Sequence, residues 1–214
     1  KNIKLLQGKP LLAYTSEIAL KSKYLTEVTI SSEDEQIIEV AKILGLKVPF
    51  IRPMELAQDT TPTLDVIIHA LKWYENQNIF FDAVCLLQVT SPFRTVEFLD
   101  LAIEKFLASN CDSLFSVQKV PHEYNPHWTF EVNSVGNLKI ATGEAEIITR
   151  RQDLPNAYHR DGSIYITKTK IILEEKSLYG KSTAFIESNP DFYVNIDTIE
   201  DWKKAEKIIR NKLR

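Results

Sequence analysis

The sequence predicts an α/β fold, a mostly parallel sheet with helices on both of its faces. Short apolar and β-branched runs alternate with stretches of helical periodicity, which is typical of strand–helix–strand units. The chain of 214 residues is 44% hydrophobic, so it can bury a substantial core. Polar clusters follow several of the apolar runs, as they do at the ligand-binding edge of such sheets.

Six apolar runs are predicted to be strands. Ala83–Leu87 has no polar interruption, so it is the most convincing buried strand among them. A further run, residues 192–194, is predicted to end a strand just before a polar turn. The six predicted strands cover residues 27–30, 48–51, 83–87, 113–117, 163–167 and 183–186.

Helices are predicted between these strands. Their apolar residues recur at intervals of three and four, which places them on one face of each helix. Pro10 suits a first turn, Gly45 is a natural stop, and Thr198 is a good N-cap with acidic residues in the turn after it. The predicted helices begin near residues 10, 33, 63, 95, 171 and 198.

The regular pattern is interrupted between residues 119 and 160. This stretch has little periodicity, and it contains three prolines and three of the four histidines. A long excursion inside a compact domain is usually functional. We therefore predict a core made of residues 1–118 and 161–214, and an inserted arm made of residues 119–160.

Composition narrows the possible classes of function. A net charge of −3 argues against a general nucleic-acid-binding protein. Cys85 and Cys111 lack the spacing of metal ligands, and two thiols in a chain of this length suggest a reducing compartment. No apolar run approaches the length of a membrane span and no signal peptide is visible, so we expect a cytoplasmic protein.

Five polar clusters lie where predicted strands give way to helices. If the strand ends meet along one crevice, it holds basic groups for anions, hydroxyls and amides for a base or sugar, and a carboxylate for a divalent cation. This set of groups suits phosphoryl or nucleotidyl transfer. The clusters are Lys1–Asn2, Arg52 with Asp59–Thr63, Gln88–Arg94, Arg151–Tyr165 and Asn195–Asp197.

Each cluster also has a purely structural interpretation. Thr63 could cap a helix, Gln88 could satisfy backbone groups at a strand end, and Asp197 could end a strand and help to start a helix. Five such clusters in one chain favour a shared site over five separate structural roles.

With these residues in view, the sequence resembles the acylneuraminate cytidylyltransferases, the CMP-sialic acid synthetase family. The likeness covers essentially the whole chain, and the motifs are specific together although each is weak alone. They are Lys1-Asn2 with Gly8–Leu12, Arg52–Ala57 with Asp59–Thr63, Leu86–Arg94, Arg150–Asp153 with Gly162–Tyr165, and Asn195–Asp197 with Asp201-Trp202.

The resemblance implies a Rossmann-like nucleotidyltransferase fold and a homodimer in which the arm reaches across to complete the partner's sugar pocket. The implied reaction joins CTP to a nine-carbon 2-keto sugar acid, a sialic-acid-like nonulosonate of the N-acetylneuraminate or legionaminate type. Its products are the CMP-sugar and pyrophosphate. The anomeric hydroxyl attacks the α-phosphorus, and Mg²⁺ is the implied cofactor that offsets phosphate charge.

The resemblance also implies roles for single residues. The positions that match nucleotide-binding residues are Lys1, Asn2, Arg52 and Thr63. Those that match sugar-binding residues are Gln88, Arg151 and Tyr165. Those that match metal ligands are Asn195 and Asp197, and the two implied catalytic residues are Lys1 and Asp197. A guanidinium suits the carboxylate of the sugar because it can bind both oxygens.

Three features depart from the family pattern. The family begins with a strand and a basic, glycine-containing loop around the triphosphate, so we expect such a segment upstream of Lys1. Asn195 stands where many relatives have an aspartate, and a neutral amide brings no charge to a cation. Trp128 aligns with a lysine of some sialic acid enzymes, so the identity of the sugar stays open.

Three alternatives stay open. The nearest is the same chemistry on 3-deoxy-manno-octulosonate, although Arg151-Gln152 and Asn195–Asp197 are closer to the nonulosonate branch. A second is a nucleotide-sugar-binding module without catalysis, which would suit a chain without the upstream loop. A metal-dependent glycosyltransferase is the least favoured, because the sequence shows no closely spaced acidic pair in mid-chain.

Overall fold

A computed structural model describes residues 1–212 of the chain, and residues 213–214, the end of the predicted core, lie outside the described residues. Strands and helices alternate on either side of a long, mostly irregular excursion. In chain order the elements are β1 (Leu5–Leu6), β2 (Lys9–Pro10), α1 (Leu11–Lys21), α2 (Glu35–Ile43), α3 (Thr63–Glu75), β3 (Ala83–Leu87), α4 (Val96–Ser109), β4 (Ser113–Lys119), β5 (Phe130–Val132), β6 (Leu138–Ile140), β7 (Tyr158–Lys168), α5 (Thr169–Glu174), β8 (Thr183–Glu187) and α6 (Ile199–Lys212). Short 3-10 turns lie at Met54–Leu56, His122–Tyr124, Pro126–Trp128, Arg151–Asp153 and Pro190–Phe192.

The central sheet has four strands in the order β3-β7-β4-β8. Strands β4 and β8 are parallel, but β7 runs antiparallel to both β3 and β4. The prediction of a mostly parallel sheet is therefore confirmed only in part, because β3, β4 and β8 run in one direction but β7 is reversed and the sheet is mixed. Antiparallel neighbours need no crossover helix, and the chain between β4 and β7 returns through the irregular excursion instead.

Three of the predicted strand segments do not form strands. Residues 27–30 and 48–51 are joined near their ends by one parallel bridge, between Thr29 and Lys47. Residues 192–194 overlap and follow a 3-10 turn, and they belong to no strand within residues 1–212. Each run has only three or four residues, which is at the short end of the usual range for strands.

Strand β3 is less buried than its composition predicts. It lies at the edge of the four-stranded sheet, with β7 as its one paired neighbour in the described part of the chain. All five of its residues are half-buried rather than fully buried. The strand is confirmed with the predicted bounds but is only partly buried, whereas six of the seven residues of β4 are buried.

Alternate residues of β4 and β7 pack against opposite layers of the fold. Leu114 and Ile164 are fully buried in a cluster with Leu99 and Phe106 of α4. Burial of each large aliphatic side chain contributes about 1.5–3 kcal/mol. Because side chains alternate along a strand, Tyr165 lies on the opposite face of the sheet from this cluster. Helices α3 and α5 pack on that opposite face, which has its own apolar cluster.

The pairing of β7 with β4 is irregular at one point. Phe115 pairs with Tyr165 and Val117 pairs with Arg160, so two steps along β4 correspond to five steps along β7. Extra residues in one strand bend it and re-aim its side chains, a feature common near active sites. Here the extra residues include Gly162, whose φ of +78° suits a residue without a Cβ.

The excursion between β4 and β7 contains three 3-10 turns and an antiparallel hairpin made of β5 and β6. Its large apolar side chains include Phe130, Val132 and Leu138, which are all exposed. Throughout residues 1–212, no helix combines the length and the apolar character that a membrane crossing requires.

Candidate active site

Three segments meet beyond the end of β3. The loop from Gln88 to Arg94 follows that strand, and the irregular part of β7 lies beside it, because Leu87 pairs with Ile164. The third segment comes from the C-terminal part of the chain, where Ile196 N donates to Thr90 O at 2.8 Å. Since Ile196 is 1% exposed, this contact fixes the residues on either side of it against the loop.

Gly162 lies at the centre of this convergence. A Cβ placed on it would lie 2.8 Å from Gln88 Oε1, 3.4 Å from Ser91 Oγ and 3.7 Å from Asn195 Oδ1. One oxygen from each of the three residues therefore borders the same small space. The oxygens of Ser91 and Asn195 are buried and have no hydrogen-bond partner among the described residues.

On the outer side of Asn195 lies a pair of oppositely charged groups. Asn195 Nδ2 donates to Asp197 Oδ2 at 2.6 Å, and Lys1 Nζ lies 3.2 Å from Asp197 Oδ1. Lys1 Nζ also donates to Ile196 O at 2.9 Å. The predicted catalytic pair and the predicted metal ligands are thus in direct contact, and both charged side chains are open to solvent, at 43% exposed for Lys1 and 62% for Asp197.

The turn after Asp197 does not need that residue as a helix cap. Asp201 Oδ2 accepts hydrogen bonds from Asp197 N at 3.1 Å and from Thr198 N at 2.8 Å. Thr198 Oγ1 in turn accepts from Asp201 N at 3.2 Å, which is a reciprocal capping arrangement. These hydrogen bonds lower the pKa of Asp201. The structural interpretation of Asp197 is therefore disfavoured, since Thr198 and Asp201 start α6 and leave its carboxylate for other partners.

The side chains at this edge fit a hard divalent cation. Mg²⁺ is usually held by one or two carboxylates together with substrate phosphates, and keeps several waters. Asp197 supplies one carboxylate, and Asn195 can supply a second, neutral oxygen ligand once its amide turns, since Nδ2 rather than Oδ1 faces Asp197. The ammonium group of Lys1 lies 3.2 Å from Asp197 Oδ1, so a cation bound here would share this carboxylate with Lys1. A cluster of three or more His, Cys, Asp or Glu side chains suited to a metal is absent from residues 1–212.

A buried arginine ties two sides of the site together. Arg94 is 6% exposed, and its Nε donates to Ser163 O at 3.0 Å and to Ser163 Oγ at 3.2 Å. Its other nitrogens donate to Gln88 O and to Thr15 Oγ1 of α1. Burial lowers the pKa of Arg94 to about 10, and the nearby Cys85 and Asp161 offset part of that effect.

A buried carboxylate holds the irregular part of β7. Asp161 is 2% exposed and accepts hydrogen bonds from Ser163 N at 2.8 Å and from the hydroxyls of Ser116 and Ser188. Several accepted hydrogen bonds offset the free-energy cost of removing a carboxylate from water. These contacts fix the backbone on both sides of Gly162, so the position of the central glycine is set by buried polar groups.

A cavity of about 220 Å³ adjoins the site, and Ser91, Arg94, Asp161 and Tyr193 are among the residues that line it. The pKa of Tyr193 is raised, first by burial and then by the negative charges of Asp161, Asp201 and Asp197. The pKa of Tyr165, a predicted sugar-binding residue, is also raised by burial, against the opposing effect of Arg160. The Tyr165 ring packs on Phe115 with 5.4 Å between ring centroids.

The other predicted nucleotide-binding residues make contacts elsewhere. Arg52 forms a half-buried ion pair with Glu33, with Nε 2.8 Å from Glu33 Oε2. Thr63 is exposed at the first turn of α3, where Pro62 is the N-cap, so Thr63 does not cap the helix. Asn2 accepts a hydrogen bond from Leu12 N at 2.8 Å through its backbone oxygen, which anchors the N-terminal segment to α1.

The predicted carboxylate-binding residue, Arg151, lies within the excursion. It is exposed and lines a second, open cavity together with His122, Glu123, Trp128 and Ile147. This set has no residue in common with the cavity beside Gly162. Within one chain, the contacts that the structure shows therefore join Lys1, Gln88, Asn195 and Asp197 but do not join Arg151 to them.

Three residues of the site carry no assigned role in the sequence prediction. Asp161 and Gly162 occur as Asp-Gly, a pair that by itself indicates a turn. Arg94 looks like a surface charge at a helix start, although it is 6% exposed. One sequence signal could have identified Gly162, namely its position directly before a predicted strand. A glycine within a strand pattern suggests a bulge or the close approach of another group to the backbone.

Comparison with known proteins identifies the family of the chain. The sequence model of the family described as "Cytidylyltransferase" matches residues 1–214. The chain is 36% identical to CMP-N,N'-diacetyllegionaminic acid synthase of Legionella pneumophila over 212 residues, which is 98% of this chain and 89% of that protein. It is 35% identical to a pseudaminic acid cytidylyltransferase of Campylobacter jejuni over 206 residues, 96% of this chain and 88% of that protein.

The fold has a close counterpart among solved structures. A CMP:2-keto-3-deoxy-manno-octonic acid synthetase complexed with CTP superimposes with a TM-score of 0.71, over 99% of this chain and 92% of that chain. The two sequences are 13% identical, so this likeness concerns the fold alone. The match along the full sequence and the relatives above 30% identity decide the family. The chain belongs to the cytidylyltransferase family.

Proposed function

We propose that the protein joins CTP to a sialic-acid-like nonulosonate, of the N-acetylneuraminate or legionaminate type, and releases pyrophosphate. The observation that carries the proposal is the contact of Lys1, Asn195 and Asp197 beside Gln88, at the edge of the sheet where nucleotides bind in such folds. The relatives with at least 35% identity over nearly the whole chain support the nonulosonate as the sugar class.

In this proposal the attacking group is the anomeric hydroxyl of the sugar and the leaving group is pyrophosphate. Mg²⁺, held by Asp197 and Asn195 together with phosphate oxygens, would offset the charge that develops on the triphosphate. Lys1 supplies a further positive charge next to Asp197, and Asn2 and the regions of Arg52 and Thr63 contact the nucleotide. Catalysis of this kind depends chiefly on positioning and on charge stabilisation.

Gln88 and Tyr165 would contact the sugar from the sheet. Gln88 borders Gly162, and Tyr165 lies three positions further along β7. Arg151 would bind the sugar's carboxylate through its guanidinium, as planar guanidinium groups do. Because Arg151 lies in a cavity of the excursion, we propose that it acts across a homodimer, with the excursion as the arm that completes the partner's pocket.

The free thiols Cys85 and Cys111 support a reducing compartment, and we propose the cytoplasm. The octulosonate alternative is not favoured, because the octonic acid synthetase shares the fold but only 13% sequence identity. The binding-module alternative remains an outcome of the experiment below.

The test is pyrophosphate release from CTP and Mg²⁺, measured on the full-length protein as encoded. The panel contains N-acetylneuraminate, N,N'-diacetyllegionaminate, pseudaminate and 3-deoxy-manno-octulosonate. We expect turnover with at least one nine-carbon acid, and a strong loss in Asp197→Asn that Glu200→Gln, in the exposed first turn of α6, does not share. Turnover with the octulosonate alone would contradict the nonulosonate assignment, and CTP binding without turnover on any acid would indicate a binding module.

A further inference from the structure

The side chain of Asn195 separates two different environments. Its Nδ2 donates to the Asp197 carboxylate at 2.6 Å, on the solvent side of the site. Its Oδ1 points inward, where it is buried and has no hydrogen-bond partner in the part of the chain that the structure describes. That oxygen borders the space at Gly162 together with Gln88 Oε1 and Ser91 Oγ.

The orientation of this amide is set by the charge of Asp197. If the amide were reversed, Asn195 Oδ1 would face the carboxylate of Asp197, and two acceptors would repel each other. The observed orientation avoids this repulsion, but it leaves Oδ1 buried without a donor near Gln88 Oε1 and Ser91 Oγ. A buried acceptor without a donor is destabilising, so neither orientation satisfies both ends of the amide.

A divalent cation at Asp197 removes this conflict. A cation attracts oxygen and repels an N–H group, so it favours Asn195 Oδ1 on the side of Asp197. The reversed amide then presents Nδ2 to the space bordered by Gln88 Oε1 and Ser91 Oγ, and both of these oxygens can accept a hydrogen bond from it. With the cation in place, both ends of the same side chain have suitable partners.

We propose that Asn195 is a positioning residue whose side-chain amide turns through half a rotation when a divalent cation binds at Asp197, and thereby orients Gln88 for the sugar. The proposal rests on the proposed function for the role of Gln88, but the rotation itself is a property of this chain and its cation. It also gives a reason for an asparagine at this position. An aspartate would bind a cation through its charge but would have no N–H to donate to Gln88 or Ser91.

The rotation is observable by NMR without turnover. The side-chain amide signals of Asn195 and Gln88 are assigned with Asn195→Asp and Gln88→Glu, and MgCl₂ is titrated without CTP or sugar, with NaCl as the ionic-strength control. In the wild type, we expect the side-chain amide signal of Gln88 and the backbone amide signal of Asp197 to change chemical shift with the same midpoint in Mg²⁺ concentration. In Asn195→Asp, Asp197 should still respond while Gln88 does not.

Asn211→Asp, the same substitution at an exposed site near the end of α6, is the matched control and should behave like the wild type. A Gln88 response that persists in Asn195→Asp would overturn the rotation. Two results in the wild type would also overturn the rotation. In the first, the NMR signal of Asp197 responds to Mg²⁺ and that of Gln88 does not. In the second, the signal of Asp197 does not respond at saturating Mg²⁺.

Steady-state kinetics give a second readout. In Asn195→Asp we expect the KM for the sugar acid to rise about fivefold, the effect of one hydrogen bond, and to rise more than the KM for CTP, whose phosphates share the cation with residue 195. An equal rise in both KM values would contradict a role through Gln88. If no sugar acid is turned over by the wild type, the proposed function fails, and the NMR titration still decides whether the amide rotates.

Discussion

Gly162 and Gln88 are packed so closely that a Cβ on Gly162 would lie 2.8 Å from Gln88 Oε1. The glycine also has a φ of +78°, which other L-residues rarely adopt. Because Gly162 has no side chain, the backbone of β7 can adopt this φ, and the space in which Gln88, Ser91 and Asn195 meet stays open. This relationship links the irregular pairing of β7 to the chemistry of the site.

Gly162→Ala should displace Gln88 and reduce kcat/KM for the sugar acid by about a hundredfold, since misplacements of about 1 Å have such effects. The matched control is Gly136→Ala, because Gly136 has a similar φ of +86° and a Cβ there would have no atom within 4 Å. Both variants should lose about 1–2 kcal/mol of stability from backbone strain. Equal activity in the two variants would contradict the role of Gly162 as a contact of Gln88.

Arg94→Lys should lower the free energy of unfolding by about 3 kcal/mol. An ammonium group cannot reach Ser163, Gln88 and Thr15 at once, and buried acceptors are left without donors. The measurement is urea unfolding, with Arg150→Lys as the control, because Arg150 is exposed and forms a solvent-accessible ion pair with Asp153. A change below about 0.5 kcal/mol, the range of ordinary surface substitutions, would show that the guanidinium geometry is unimportant.

Arg151→Ala should raise the KM for the sugar acid at least about tenfold and leave the KM for CTP nearly unchanged, because a charge-assisted bidentate contact is lost. If the excursion acts across a homodimer, mixing Arg151→Ala with Asp197→Asn protomers should restore activity. One mixed site then contains both an intact arm and an intact Asp197. Absence of any recovery in proven mixed dimers would place both residues in the same chain's site.

Asp112→Asn should destabilise the protein at pH 7 but not in strong acid. Asp112 Oδ2 accepts from Lys181 N at 2.9 Å and from Ser182 N at 3.0 Å, and these backbone hydrogen bonds lower its pKa. Since the folded-state pKa is lowered, the stabilisation is present above the unfolded value of about 3.9. It is lost as the pH falls through the folded value.

The measurement for Asp112 is the unfolding free energy of wild type and variant from pH 7 to pH 2. The two curves should converge as the pH falls below about 4. Asp82→Asn is the control, since Asp82 is exposed and contributes its backbone oxygen, rather than its carboxylate, to Thr169 N. A constant difference between Asp112→Asn and wild type over this range would exclude the carboxylate as its source.

Local patterns were sufficient for the parts of the fold that depend on neighbours in sequence. The strand at Ala83–Leu87 and the start of α3 at Thr63 agree with apolar runs and helix-start residues. The start of α6 agrees as well, because Thr198 and Asp201 lie one helical turn apart and cap each other. The direction of β7 could not be predicted in this way, since the same apolar run suits a parallel or an antiparallel partner.

The sequence by itself determined the family, the order of most of the helices and strands, and the set of polar groups at the ends of the strands, because these follow from residue type and local spacing. Tertiary structure decided which of those groups meet. Lys1 and Asp197 are 196 positions apart and form an ion pair, whereas Arg52 pairs with Glu33. The physical reason is that contacts between distant residues depend on strand direction and on buried polar partners such as Arg94 and Asp161, which local spacing does not specify.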